Sequence, residues 1–372
     1  MPEIQIPSNL LPKDGRFGCG PSKLRPEQLA AFGTQGAKLL GTSHRQAPVK
    51  NLVKEVQEGL FELFHSPEGY EIVLGNGGST AFWDVAAFSL AEGNSQALVH
   101  GEFGAKFAKA LSAPFLSKVE VVEAVPGSRG ELRADSGIKN FAYPQNETST
   151  GVTAKVERVA SDADALFFTD ATSAAGGIDF DPLQTDAYYF APQKNFGSDG
   201  GLWLALLSPA AIERAERIAK SDRYIPEFLS LKVAIENSRQ NQTLNTPAIS
   251  TLFLLNEQIK WINGEGGLSW ADAKTKASSK VLYEWADRIE YATAFVANPE
   301  HRSQVVVTID FDEALDAAEV AKQLRANGVV DVDPYRKLGR NQLRVATFTS
   351  TDQADIEALI ECIDYVVSRM SK

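Results

Sequence analysis

Between residues 49 and 64 the chain reads VKNLVKEVQEGLFELF, which sets Leu52, Val56, Leu60 and Leu63 at the spacing of one helix face. Pro48, just before it, suits a first helical turn. A strand-like EIVL (71–74), a Gly/Ser/Thr turn and a helical AFWDVAAFSLAEG (81–93) follow. Short apolar runs at Ala97–His100, Lys118–Val122, Ala165–Thr169 and Tyr188–Ala191 predict further strands, with helical or loop segments between them. Strands alternating with helices predict an α/β fold around a mostly parallel sheet.

The pattern changes after Gly264–Gly267. A helical stretch (269–288) leads to the alternating strand VVVTIDF (305–311), a helix EALDAAEVAKQLRANG (313–328) and a strand containing Leu343, Arg344 and Val345. The last helix carries Ile356, Leu359, Ile360, Ile363 and Val367 on one face, with Ser350 or Thr351 as its cap. These segments read as a smaller α+β domain. The expected division is an N-terminal arm at 1–15, rich in Pro, a large domain at 16–262 and a small C-terminal domain at 263–372.

Composition narrows the function. Lys plus Arg number 37 against 48 Asp plus Glu, a net charge of −11, and no basic block is present. That balance disfavours nucleic acid and anionic membrane surfaces as partners. Cys19 and Cys362 are too few for a disulfide framework or a cysteine-built metal site, and the four histidines form no metal-binding spacing. No metal is therefore expected. The first residues lack the basic start and apolar core of a signal peptide, and no apolar run is long enough to span a membrane. The expectation is a soluble, cytoplasmic protein.

Three places can hold chemistry. Gly75-Asn76-Gly77-Gly78-Ser79-Thr80 lies between a strand and a helix, where glycines let backbone N–H groups approach an anion and the helix N-terminus adds partial positive charge. It is neither a P-loop nor a dinucleotide fingerprint, and alone it is equally an ordinary tight turn. Asp170 closes the apolar run ALFFTD at a strand end, either as a ligand carboxylate or as a helix N-cap. Lys194 follows the apolar AYYFAP, either stranded beside the core with a lowered pKa or as a solvated loop lysine. Together and in this order, an anion cradle, a carboxylate and a lysine meet the demands of pyridoxal phosphate: its phosphate, its pyridine nitrogen and its aldehyde.

At this point the chain resembles the phosphoserine aminotransferases, a family of fold-type I, class V pyridoxal phosphate enzymes, and looks closest to their actinobacterial branch. The resemblance rests on FGCGPSKL (17–24), SHR (43–45), GNGGST (75–80), NETSTG (146–151), TDATSAAGG (169–177), APQKNFG (191–197), NTP (245–247) and QLRVATF (342–348). It implies a large domain with a mostly parallel seven-stranded sheet and a smaller C-terminal α+β domain. It implies that Lys194 binds the cofactor aldehyde and shuttles the proton, and that Asp170 pairs with the pyridine nitrogen. Gly78, Ser79 and Gln193 would bind the cofactor phosphate, with Asn245 and Thr246 reaching it from a second subunit. Thr148 would lie beside the ring and Phe103, where the family more often has Trp, would stack on it.

Arg344 would take the substrate α-carboxylate, and His44 and Arg45 of the second subunit the substrate phosphate. The family's His-Arg pair ahead of the carboxylate arginine is absent: the stretch here is Tyr335-Arg336-Lys337-Leu338-Gly339-Arg340. The implied reaction is amino transfer between L-glutamate and 3-phosphohydroxypyruvate, giving O-phospho-L-serine and 2-oxoglutarate, in a homodimer. A phosphorylated hydroxythreonine of vitamin B6 synthesis is a further possible substrate. The alternatives are a class V aminotransferase for a small unphosphorylated acid, of the alanine–glyoxylate type, and a non-catalytic scaffold.

Overall fold

The computed structural model describes residues 3–370; residues 1, 2, 371 and 372, which fall in the expected arm and small domain, lie outside the described residues. Seven strands form the main sheet: β1 (Glu71–Asn76), β2 (Asn94–Val99), β3 (Val119–Glu123), β4 (Ile138–Pro144), β5 (Leu166–Asp170), β6 (Ala187–Phe190) and β7 (Leu202–Leu207). Their order is β1-β7-β6-β5-β4-β2-β3. Only β7 runs antiparallel to its neighbours; the other pairings are parallel.

Such a sheet is covered on both faces, so its central strands are apolar throughout rather than alternating, while the edge strand β3, VEVVE, is largely unburied. LFFTD of β5 and LWLALL of β7 are buried at every position. On one face Tyr188, Phe190, Leu204 and Leu206 pack against helices α1 (Ala47–Leu63) and α4 (Ile249–Glu265), through Val56, Leu60, Leu252 and Ile259. On the other, Ala97, Val99, Phe168 and Tyr189 pack against α2 (Ser79–Ser89) and α3 (Glu102–Leu111), through Phe82, Val85 and Phe107. The sequence pattern did not single out β4 or β7. β7 follows the loop Ser198–Gly201 as one unbroken apolar run, which periodicity alone does not assign to strand or helix. Helix α2 also starts two residues before the expected 81, because the Gly/Ser turn supplies its first turn.

A second, antiparallel sheet holds β8 (Ala292–Ala294), β9 (Val306–Phe311) and β10 (Gln342–Ala346). Val307, Ile309, Leu343 and Val345 face α5 (Gly267–Ala286), α6 (Ala317–Ala326) and α7 (Gln353–Met370). α7 starts after Asp352, whose carbonyl accepts from Ile356 N–H, so neither Ser350 nor Thr351 is its cap. Instead Ser350 Oγ accepts from Gln258 Nε2.

The expected boundary at 262/263 falls in the last turn of α4. The N-terminal segment packs on the second sheet's helices: Ile4 N–H donates to Gln323 Oε1 (2.7 Å) and Ile6 N–H to Asn327 Oδ1 (2.9 Å). Ile6 and Phe17 are buried in that sheet's core. Phe17 thus packs with the C-terminal part of the chain although 16–262 was expected to form one unit.

Candidate active site

The loop after β1, the end of β5 and the loop after β6 all leave the same edge of the main sheet, the carboxyl end of its parallel strands, where α/β ligand sites form. This brings Gly78, Ser79, Phe103, Thr148, Asp170, Gln193 and Lys194 into one cleft, which Thr80, Trp83, Asn146 and Thr172 complete. The cleft is partly open to solvent and takes in ≈ 580 Å³ of empty space, that solvent included.

Lys194 lies on the cleft floor, its Nζ donating to the carbonyl of Cys19 at 2.6 Å. Enclosure by protein pulls the ammonium down to about 8; the nearby Arg344 charge acts the same way, and Cys19 and Asp170 oppose it. The FGCGPS segment forms the floor. A Cβ on Gly20 (φ +133°) would stand 1.8 Å from Nζ, so only glycine leaves the amine its place.

Asp170 is buried. It accepts from Thr172 N–H (2.9 Å), Thr172 Oγ1 (2.5 Å) and Trp83 Nε1 (3.2 Å). Burial raises its pKa, and these donors pull it back. Among the described residues no cation forms an ion pair with it. A buried carboxylate held ready by neutral donors calls for a cationic partner from a ligand.

Thr172 Oγ1 also lies 2.6 Å from Ser79 Oγ, which ties the carboxylate to the first turn of α2. First-turn N–H groups of a helix have no intrahelical acceptor, and Gly78 leaves open space above them. Gln193 Oε1 and Asn146 Oδ1 are buried without a partner. An anion cradle, an uncompensated carboxylate and a low-pKa amine in one cleft fit pyridoxal phosphate.

Phe103 forms one wall. Its helix α3 is held by Glu147, a fully buried carboxylate that accepts from Phe103 N–H (3.1 Å), Gly104 N–H (3.0 Å) and Ser149 Oγ (2.6 Å). Thr148 donates through Oγ1 to Ser173 (2.9 Å), and its carbonyl accepts from Arg344 Nη1 (3.0 Å). Arg344 projects from β10 on the face opposite to the buried Leu343 and Val345. Its Nε is buried without a partner.

The remaining expected residues do not line the cleft. His44 Nδ1 lies 3.2 Å from Thr246 Oγ1, Asn76 bonds both Thr246 and Asn245 through their backbone, and Arg45 donates to Gln242 Oε1 (3.0 Å). They form a separate, largely exposed cluster beside the β1–α2 loop. Of the cations at 336–340, Lys337 pairs with Glu102 and Arg340 with Asp310, while Arg336 is exposed.

Sequence reasoning missed Thr172, Trp83, Glu147, the Cys19 carbonyl and Tyr335. Thr172, two residues after Asp170, carried a turn signal. The others meet the site only through folding.

The sequence pattern described as "Aminotransferase class-V" matches residues 25–332. A chain of Mycobacterium sp. (strain KMS) is 58% identical over 371 residues, 100% of both chains. The phosphoserine aminotransferase of Rhodococcus opacus (strain B4) is 56% identical over 366 residues, 98% of each. Among solved structures, a phosphoserine aminotransferase from Cytophaga hutchinsonii superimposes with a TM-score of 0.85 over 94% of this chain and 99% of its own, at 21% identity.

Proposed function

The chain belongs to the class-V aminotransferases, among the phosphoserine aminotransferases, and from that premise we propose that it moves an amino group between L-glutamate and 3-phosphohydroxypyruvate, giving O-phospho-L-serine and 2-oxoglutarate. It is a transaminase and its cofactor is pyridoxal phosphate. The observation that carries the substrate reading is the convergence of Lys194, Asp170 and the α2 N-terminus in one cleft, with Arg344 bonded to the carbonyl of the cleft residue Thr148.

When bound, pyridoxal phosphate supplies an aldehyde for amines and a ring that withdraws electrons from the substrate α-carbon. Ser79, Gln193 and the first-turn amides beyond Gly78 would hold its phosphate. Asp170, oriented by Thr172 and Trp83, would face its ring nitrogen and favour the protonated form. Phe103 and Thr148 would flank the ring. Lys194, neutral in a useful fraction near pH 8, would hold the aldehyde and would be the base placed to take the proton from the substrate α-carbon. Arg344 grips the α-carboxylate that both substrates share.

We further propose a homodimer in which His44, Arg45, Asn245 and Thr246 of one copy complete the cleft of the other. Their clustering on an exposed surface, away from their own chain's Lys194, supports this. His44 and Arg45 then meet the distal anion, phosphate or side-chain carboxylate. Cys19 and Cys362 are unpaired thiols, as a reducing cytoplasm would keep them.

The test is the visible spectrum of the purified holoenzyme. O-phosphoserine alone should abolish the yellow band of the lysine-bound cofactor, and 2-oxoglutarate should restore it. A band that responds to alanine and not to phosphoserine would move the assignment to an unphosphorylated substrate.

A further inference from the structure

We propose that Tyr335 is a positioning residue for substrate binding, whose ring holds the Arg344 guanidinium in place without using up its carboxylate-binding donors. The inference rests on the reading that Arg344 takes the substrate carboxylate. Arg344 Cζ lies 5.4 Å from the centroid of the Tyr335 ring. The same ring meets Phe103 at 5.9 Å with an interplanar angle of 59°. The strap that bears it is tied down two residues later, where Lys337 pairs with Glu102, the first residue of the Phe103 helix. Tyr335 thus stands between the group at the cofactor wall and the group at the carboxylate.

A half-buried guanidinium needs compensation. Among the described residues Arg344 forms no ion pair; one Nη1–H is spent on the Thr148 carbonyl and Nε is left without a partner. An acidic neighbour would supply the compensation but would occupy the planar fork and compete with the substrate. An aromatic face attracts the cation through its quadrupole and takes no N–H, so the fork stays free for bidentate contact. Because the glutamate and keto-acid half-reactions share the α-carboxylate, the effect applies to both.

The test compares Tyr335→Phe, Tyr335→Leu and Tyr335→Glu in the holoenzyme, by calorimetric titration with glutarate and by steady-state kinetics. Tyr335→Phe keeps the ring and should bind glutarate within about twofold of the parent. Tyr335→Leu should weaken it about five- to thirty-fold, with KM raised for both substrates and kcat little changed. Tyr335→Glu should weaken it further, because its carboxylate would take the fork. Affinity for pyridoxal phosphate, measured on the apoenzyme, should stay near the parent value in all three. Unchanged glutarate affinity in Tyr335→Leu, or a loss matched by an equal loss of cofactor affinity, would overturn the inference. So would Tyr335→Glu binding as well as Tyr335→Leu. Arg344→Ala separates the two levels: if it too leaves glutarate binding intact, the underlying assignment of Arg344 is what fails.

Discussion

Lys194 combines two properties that pull against each other: an amine must be enclosed to lose its proton near neutrality, yet open to the cleft to react. Its hydrogen bond, among the described residues, goes to a carbonyl rather than to a carboxylate, which allows both. Lys194→Ala should fold and bind pyridoxal phosphate but show no turnover; measurable transamination by that variant would remove Lys194 from the chemistry. The titration has a consequence for stability. In the folded chain the ammonium loses its proton at about 8, against 10.5 for an exposed lysine, so between these values the unfolded chain binds more protons. Stability of the apoenzyme should therefore rise from about pH 8 to about 10.5, by on the order of 3 kcal/mol. Lys194→Met should lack that rise, which denaturant unfolding at stepped pH would detect. Charge assignments are separable in the same way. Arg344→Ala should raise KM for glutamate and phosphoserine alike, while Arg45→Ala should penalise the phosphorylated substrate more; equal effects would contradict the division between the two arginines.

Helix α3 is held at its N-terminus by a side chain from another segment. Glu147 accepts from two of its first amides and from Ser149, whose Oγ in turn accepts from Glu102 N–H at 3.1 Å. A carboxylate there also meets the positive end of the helix dipole. Glu147→Gln would turn an amide NH₂ toward N–H donors and should cost about 1–3 kcal/mol, read from urea unfolding. Because Phe103 rides on that turn, cofactor affinity should fall as well. The glycine-bearing segment beneath Lys194 is the opposite case, an element defined by close approach. Gly20→Ala should reduce cofactor binding and turnover strongly, since its Cβ would displace the amine and its φ of +133° is unfavourable for alanine. Normal cofactor loading in that variant would show that the segment can move aside.

Across the whole molecule, the separation of the cleft from the His44/Arg45/Asn245/Thr246 cluster gives a test that no single variant offers. If one copy completes the other's site, a dimer of one Lys194→Ala chain and one Arg45→Ala chain carries one intact site. Mixing equal amounts of the two impaired proteins under conditions that exchange subunits should then recover about a quarter of parental activity on phosphoserine: half the dimers are mixed, and each has one working site of two. No recovery, with exchange verified by tagged chains, would place His44 and Arg45 in the site of their own chain or outside it.

Much of this was legible in the residues before any fold was known. Apolar runs ending in Asp170 and just before Lys194 encode strands, and parallel strands end at a shared edge, so the order of the chemical groups along the chain already implied their meeting. The Gly/Ser turn at 75–80 and the alternation around Arg344 are local patterns, set by backbone freedom and the two-residue period of a strand. What needed the tertiary structure were contacts between segments far apart in the chain: Trp83 on Asp170, the Cys19 carbonyl under Lys194, Glu147 beneath Phe103, and Tyr335 between Phe103 and Arg344. Propensity and periodicity describe neighbours in sequence, whereas these pairs are chosen by how helices and loops pack over the sheet. The same holds for Phe17, which joins the core of the C-terminal sheet because burial follows the nearest apolar surface in space, not the nearest in sequence.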